Sequence, residues 1–504
     1  MKYLILILYA LVLIAIAIFT SKKIKSTHDF FLGGRRIGPW MSAFAYGTSY
    51  FSAVIFIGYA GQYGWDFGLA SSWVGIGNAI LGSLMPWIIL GKRTRRMTQQ
   101  LQASTMPEFF GSRYDSRALK VFTAVVIFIF LVPYSASVYQ GLAYLFEQLF
   151  GIPFIWCTLI MVVVTAAYLI AGGYLATAVS DFFQGIIMLV GIVLIVGYVL
   201  ANPMVGGLSG AVERLSSVDP ALASLTGPKG VWPLVSIVLL TSLGTWGMPQ
   251  MTHKFYAIRD EKSILRGTII STCFALVVAG GSYFLGGFTR LFTQGMNTMP
   301  IDPVTGAANP SLLMPQMLAS ALPGAMIGVV LVLVLAASMS TLSSLALSAS
   351  SSIGIDLIKG FLCPNMKDRS VKLLMKVLCG LFVVASFILA NRRNTLISTM
   401  MSLSWGCLSG AFLGPYLLGL YWQGVPRAGA WSGIVGGLAC CLVLNTSLVP
   451  VTPATAAVVA MGVGLVLTWA VSLVTPKLPR DFTAPILDAV RNQSVAQTNE
   501  AQQL

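Results

Sequence analysis

Ala337-Ser338-Met339-Ser340-Thr341-Leu342-Ser343-Ser344 sets hydroxyl groups in the middle of a run, from about Leu318 to Leu357, that is otherwise mostly apolar. On a helix, the Ala337 carbonyl lies beside the side chains three and four positions on, Ser340 and Thr341. Three neutral oxygens on one face suit a small, hard cation. One turn later, Ser343 and Ser344 repeat the arrangement relative to Ser340. Small hydroxyl residues in membrane helices also serve close helix packing, or bond back to their own backbone. Five of them at this spacing, with a carboxylate in another membrane segment, point toward an ion site.

The surrounding chain makes the run a membrane helix. Of 504 residues, 56% are hydrophobic and 9% charged, and apolar stretches of about 18 or more recur throughout. The expectation is an all-α polytopic membrane protein of about 13 transmembrane helices. They lie near 3–20, 41–62, 70–90, 119–146, 154–171, 178–200, 231–251, 267–289, 315–357, 373–390, 395–422, 428–445 and 453–475. The net charge of +15 tempts a nucleic-acid reading, but its distribution argues against one. With the N-terminus outside, only Lys2, Arg214, Lys229, Arg290, Arg392 and Arg393 fall on the external side. Lys22, Lys92, Arg93, Arg95, Arg96, Lys254, Arg259 and the rest are cytoplasmic, so the basic excess sets orientation.

The first apolar segment lacks a small-residue cleavage site and its basic cluster follows it, so it is expected to stay as a helix. Seven scattered cysteines without a CxxC pair indicate neither a disulfide framework nor a zinc site. His28 and His253 lie far apart, which disfavours histidine-based metal chemistry. No linker divides the chain. Residues 1–479 read as one transmembrane domain, and 480–504 as a polar, disordered cytoplasmic tail.

Two helices carry interruption signals: Gly47-Thr48-Ser49-Tyr50-Phe51-Ser52 in the second and Gly244-Thr245-Trp246-Gly247-Met248-Pro249-Gln250 in the seventh. Gly and Pro weaken a helix, and carbonyls freed at membrane depth are tolerated only beside protein or a cavity. Simple kinks would leave the same residues. The two helices are five apart, as the first members of two five-helix repeats would be, and paired breaks of this kind point to a transporter's binding site.

These segments, with Phe31-Leu32-Gly33-Gly34-Arg35-Arg36-Ile37-Gly38-Pro39-Trp40 and Gly172-Gly173-Tyr174-Leu175-Ala176-Thr177-Ala178-Val179-Ser180-Asp181-Phe182-Phe183-Gln184, resemble the sodium/solute symporter family. That family includes bacterial sodium/proline and sodium/pantothenate transporters. The resemblance runs from Phe31 to about Thr475. It implies a five-plus-five inverted-repeat core over about 41–422. It also implies a sodium site built from the carbonyls of Thr48, Phe51 and Ala337 with the hydroxyls of Ser340 and Thr341. A second sodium site, present in some members, would use Asp181 with Ser340, Ser343 and Ser344. Ser52, Ile55, Tyr134, Gln140, Thr245, Trp246, Pro249 and Gln250 would line the solute cavity. One departure stands out. Tyr50 occupies the position of an aspartate important for sodium dependence in the sodium/proline members, which counts against proline, while Arg35 matches an arginine important there.

The resulting expectation is a sodium-coupled importer of a small organic solute, such as an amino acid or a small carboxylate. It would sit in the plasma membrane among lipid, have a cytoplasmic C-terminus, bind no nucleic acid, and be able to transport as a monomer. Asp181 has three readings: sodium ligand, hydrated structural acid, or proton carrier in a proton-coupled symporter. A channel would want a pore-lining filter or a charged ring, and neither is visible. An enzyme would want an acid, base or nucleophile with a partner, and Asp181 has no candidate histidine.

Overall fold

The computed structural model describes residues 8, 9, 11, 12, 15, 16, 35–293, 296–393, 396–446, 449–488 and 490, with backbone alone over 167–176. Most of the expected 3–20 helix, Phe31 to Gly34 and the tail beyond 490 lie outside the described residues. Among the described residues, nine helical runs are long and apolar enough to cross a membrane, or ten if the bent pair Val231–Gly247 and Pro249–Tyr256 counts as one. The longest of these runs is too long for one crossing. Val54–Gln100, at 47 residues, would span about 70 Å if straight, against about 30 Å of hydrocarbon. It turns at Gly68, whose φ of 60° is open to glycine and strained for other residues.

The helical stretch Phe154–Ala201 also folds back on itself. Thr165 Oγ1 lies 3.5 Å from Met339 Sδ, while Asp181 accepts from Ser340, the next residue along. Sixteen residues of straight helix would separate Thr165 from Asp181 by about 24 Å. Both ends of the stretch meet segments on the face poor in basic residues. Thr158 donates to Asn391, and Asn202 to the Ala321 carbonyl.

Both expected interruptions are present. The second helix runs Pro39–Tyr50, opens at Phe51 (φ −102°, ψ 104°) and resumes as a wide turn over Val54–Tyr59, then Ala60–Phe67. The seventh runs Val231–Leu243, tightens over Gly244–Gly247 and restarts at Pro249 with a bend of 49°. The expected 315–357 helix is split near its start into Leu313–Ala321 and Gly324–Ser351. Pro323 between them has no N–H to continue the ladder and restricts the residue before it.

Burial orders the bundle. The most apolar windows of Gly324–Leu362 and Ile397–Tyr421 are each 83% buried, whereas those of Arg427–Leu444 and Pro453–Val474 are 33% buried. The hydroxyl-bearing helix is therefore central, and the last two helices form a flank. Close approach relies on small residues. A Cβ on Gly64 would lie 1.9 Å from the Gly286 carbonyl oxygen, and one on Gly286 would lie 2.0 Å from that of Ala60. Gly64→Ala is therefore expected to cost about 1–3 kcal/mol through overpacking. A thermal-unfolding midpoint in detergent equal to wild type would show that this crossing can relax.

On the basic face, arginines tie helix ends together. Arg93 donates to the Leu420 carbonyl, Arg95 to that of Ile258 and Arg113 to those of Gly419 and Trp422, while Arg96 pairs with Glu261 at 2.6 Å. The tail departs from expectation over its described part. Residues 480–488 are helical, and Ile486, Leu487 and Val490 are buried. Arg96 also donates to the Val490 carbonyl at 2.8 Å. These apolar positions give an otherwise polar segment a face to dock.

Candidate cation and solute site

A break exposes carbonyls, and that is the starting point of the site. When Pro39–Tyr50 ends, Phe51 N–H takes the Gly47 carbonyl, and the last carbonyls of the helix lose their helical donors. Thr341, on the central helix, stands opposite. Its Oγ1 lies 3.0 Å from the Ala337 carbonyl, 3.2 Å from that of Thr48 and 3.4 Å from that of Ser49. Ser340 Oγ is 2.7 Å from Thr48 Oγ1 and 2.6 Å from Asp181 Oδ1. The structure thus brings Thr48, Ala337, Ser340, Thr341 and Asp181 together. Ser49 joins through its carbonyl, while Phe51 closes the break with its N–H and stacks its ring on Tyr50 at 4.2 Å.

The hydroxyl-rich stretch divides in two. Ser338 donates to the Val334 carbonyl at 2.6 Å and Ser343 to that of Met339 at 2.7 Å, so these two bond to their own helix. Ser340, Thr341 and Ser344 reach across to other helices. Ser344 Oγ meets Ser49 Oγ at 2.8 Å and accepts from Lys254 Nζ at 3.0 Å. Lys254 Nζ also lies 3.5 Å from Asp181 Oδ2, and both side chains are essentially buried, at 2% and 1% exposure. Lys254 is therefore no surface charge, as its place among the cytoplasmic lysines suggested. It belongs to the site. The sequence signal was a lysine one turn beyond Gln250 on a broken helix.

The solute-cavity candidates separate as well. Ser52 and Ile55 are fully buried at the first break. Tyr134 is buried without a hydrogen-bond partner for its hydroxyl, its ring edge-on to Trp405 at 5.7 Å. Trp405 also lies 6.1 Å from the Tyr50 ring, and its indole N–H has no partner in the structure. A Cβ on Gly244 would meet its ring at 3.0 Å, so the tryptophan packs against the second break. Sequence reasoning passed over Trp405 because nothing local distinguishes it from a packing aromatic. Gln250 is buried with neither amide atom paired, one turn before Lys254 on the same face.

Other candidates are engaged elsewhere. Gln140 donates through its amide nitrogen to the Ala390 carbonyl while its amide oxygen is unpaired, and Trp246 donates to the Leu81 carbonyl and Thr245 to that of Ser242. Pro249 starts the half-helix. Tyr50 donates to the Thr241 carbonyl, and Gly82 leaves room for its phenol, since a Cβ there would lie 2.1 Å away. Arg35 sits on the basic face, where it donates to the carbonyls of Thr98 and Ala103. Partial burial holds its guanidinium below the usual arginine range.

On the face poor in basic residues, a cavity of about 170 Å³ is lined by Gln62, Asp66, Lys229, Ser398, Ser402 and Thr452, among others. Asp66 and Lys229 pair across it at 2.8 Å, and Tyr59 meets Ser402 at 2.9 Å.

Comparison with known proteins gives a consistent picture. A family model described as the sodium:solute symporter family matches residues 30–437. The chain is similar to the osmoregulated proline transporter OpuE of Bacillus subtilis (strain 168), 27% identical over 87% of this chain and 88% of that protein. It is similar also to a sodium/proline symporter of Staphylococcus aureus, 27% identical over 97% and 96% of the two chains. Among solved structures, it resembles a substrate-bound, outward-open Na+-coupled sialic acid symporter with a TM-score of 0.80, at 16% identity over 94% of this chain and 98% of that one. Mhp1, a nucleobase-cation-symport-1 family transporter, matches at a TM-score of 0.54 and 14% identity, over 91% and 98% of the chains. These structural likenesses speak to the fold alone.

Proposed function

Because the chain belongs to the sodium:solute symporter family, we propose that it imports a small organic solute, an amino acid or small carboxylate, by sodium-coupled alternating access. The observation that carries this reading is the oxygen cluster at the first break, where Thr341 Oγ1 lies within 3.4 Å of three main-chain carbonyls. Neutral oxygens coordinate a hard cation but are poor stores for a proton. The proposed ligands are the carbonyls of Ala337, Thr48 and its neighbours Ser49 or Phe51, with the hydroxyls of Ser340 and Thr341. The proposed solute position lies among Ser52, Ile55, Tyr134, Trp405 and Gln250. Three of these, Tyr134, Trp405 and Gln250, hold buried polar atoms unpaired in the structure, and a bound solute would satisfy them.

The same reading takes the fold as thirteen spans with a five-plus-five inverted repeat, in the plasma membrane with the basic face cytoplasmic. A monomer would hold everything the cycle needs. Sodium entering from the external face would join the broken second helix to the central helix and complete the cavity wall. Solute and ion would then leave toward the basic face once its arginine ties loosen. Coupling arises because sodium binds one state better than the other, and no bond chemistry is involved. Proline, carried by the similar proteins, is a candidate solute. Tyr50 makes the outcome differ from an aspartate-bearing site, because its hydroxyl is already committed to Thr241.

The test imposes two gradients on the same proteoliposomes, sodium at equal pH and then pH without sodium. One charge across 100 mV contributes about 2.3 kcal/mol, and a tenfold sodium gradient about 1.4 kcal/mol. One sodium per zwitterionic solute therefore supports roughly 400- to 500-fold accumulation. Concentrative uptake is expected under the sodium gradient. Uptake driven only by the pH gradient would overturn the reading and favour proton coupling through Asp181.

A further inference from the structure

We propose that the ammonium group of Lys254 is a resident cation, occupying the position beside Asp181 and Ser344 that a second sodium would otherwise fill, so that the protein couples a single sodium ion to each solute. This rests on the sodium-symport reading above and specifies its stoichiometry.

The geometry is that of a filled cation position. Lys254 Nζ touches Ser344 Oγ at 3.0 Å and Asp181 Oδ2 at 3.5 Å, and Ser344 is joined to Ser49 at 2.8 Å. Four elements converge there: Pro39–Tyr50, the 177–201 span, Gly324–Ser351 and the half-helix Pro249–Tyr256. A lysine ammonium is a compact charge with three donors and no acceptor, so oxygens surround it much as they surround a monovalent metal ion. Ser343, the remaining hydroxyl that a second sodium would want, is turned back to the Met339 carbonyl.

Charge makes the exclusion effective. In a buried site, a cation needs a counter-charge or a full set of oxygens. Asp181 is the carboxylate in contact with this cluster, and its negative charge is met by Lys254. Ser344 lies one turn from Ser340, so a sodium bound at the Thr341 cluster already stands about 6 Å along the helix from the ammonium's position. A third cation would enter with no negative charge left to offset it.

The two oxygens of Asp181 then do different work. Oδ2 faces Lys254, and Oδ1 accepts from Ser340. Ser340 has one hydrogen to share between Asp181 Oδ1 and Thr48 Oγ1, and the carboxylate, the stronger acceptor, holds its hydroxyl in place beside Thr48. Thr48's own hydroxyl donates to the Phe44 carbonyl, so its oxygen is left to accept from the cluster side. Lys254 and Asp181 are thus positioning residues for the one sodium, and the lysine's charge stays with the protein through the cycle.

The experiment counts sodium directly. Radioactive sodium binding to the purified full-length protein is measured beside sodium and labelled-proline flux in proteoliposomes. Wild type is expected to bind one sodium, with a Hill coefficient of about 1. Lys254→Met should open the second position, adding one bound sodium and moving the Hill coefficient toward about 2. Lys254→Arg should keep the wild-type count. Should Lys254→Met fail to fold, the neutral pair Lys254→Met with Asp181→Asn should fold and bind one. Two sodium ions bound to wild type, or one bound to a folded Lys254→Met, would overturn the proposal while leaving sodium symport intact. Wild type that binds no sodium would instead remove the symport reading itself. If proline is not carried, the binding count still decides.

Discussion

Asp181→Ala is expected to lower stability by about 3–5 kcal/mol, because it strips the counter-charge from a buried ammonium. Lys254 is 2% exposed and Asp181 1%, so little water can take over from the lost carboxylate. At about 1.4 kcal/mol per factor of ten, this shifts the folding equilibrium by roughly 100- to 4,000-fold. The readout is the temperature at which detergent-solubilised protein loses its monodisperse form, together with yield from membranes. Asp181→Asn should cost less, since its amide oxygen can still accept from Ser340. Asp181→Ala combined with Lys254→Met should recover much of the loss, because the charged pair is then removed as a unit. If Asp181→Ala alone matched wild type, the ion pair would contribute nothing to the fold.

Thr341→Ala should raise the sodium concentration for half-maximal uptake by roughly 10- to 140-fold, on the basis of about 1.5–3 kcal/mol for a polar contact to a charged group. Thr341 is chosen because its hydroxyl faces a carbonyl of its own helix at 3.0 Å and two carbonyls at the end of the broken second helix at 3.2 and 3.4 Å. Thr341→Ser keeps the oxygen and should stay close to wild type, whereas Thr341→Val keeps the shape and should behave like alanine. Uptake at saturating sodium reports whether the cavity still forms. Unchanged sodium dependence in both Ala and Val variants would place the coupling ion elsewhere.

Much of the fold was legible in the sequence because membrane burial leaves local marks. Hydropathy and length marked the nine or ten apolar spans found among the described residues, and Gly, Ser and Pro clusters marked both breaks, at Phe51 and Met248. Three described features escaped that reading. The Leu313–Ala321 segment separates at Pro323, and the 480–488 segment packs by way of Ile486, Leu487 and Val490. Trp405 joins Tyr134 and Tyr50 through ring contacts that its own helix does not announce.

Helical spacing by itself determined that Ala337, Ser340 and Thr341 share a face, because the period of about 3.6 residues is a property of the backbone. It could not say which hydroxyls would turn outward. Ser343 bonds to its own helix while Ser344, its neighbour, reaches Lys254. That choice depends on what packs against each face, and here the partner lies 90 residues away in the chain. The pairing of Lys254 with Asp181, 73 residues apart, is a decision of the tertiary structure for the same reason. A buried charge is stable only where another element delivers its counter-charge, and no local pattern records which element that will be.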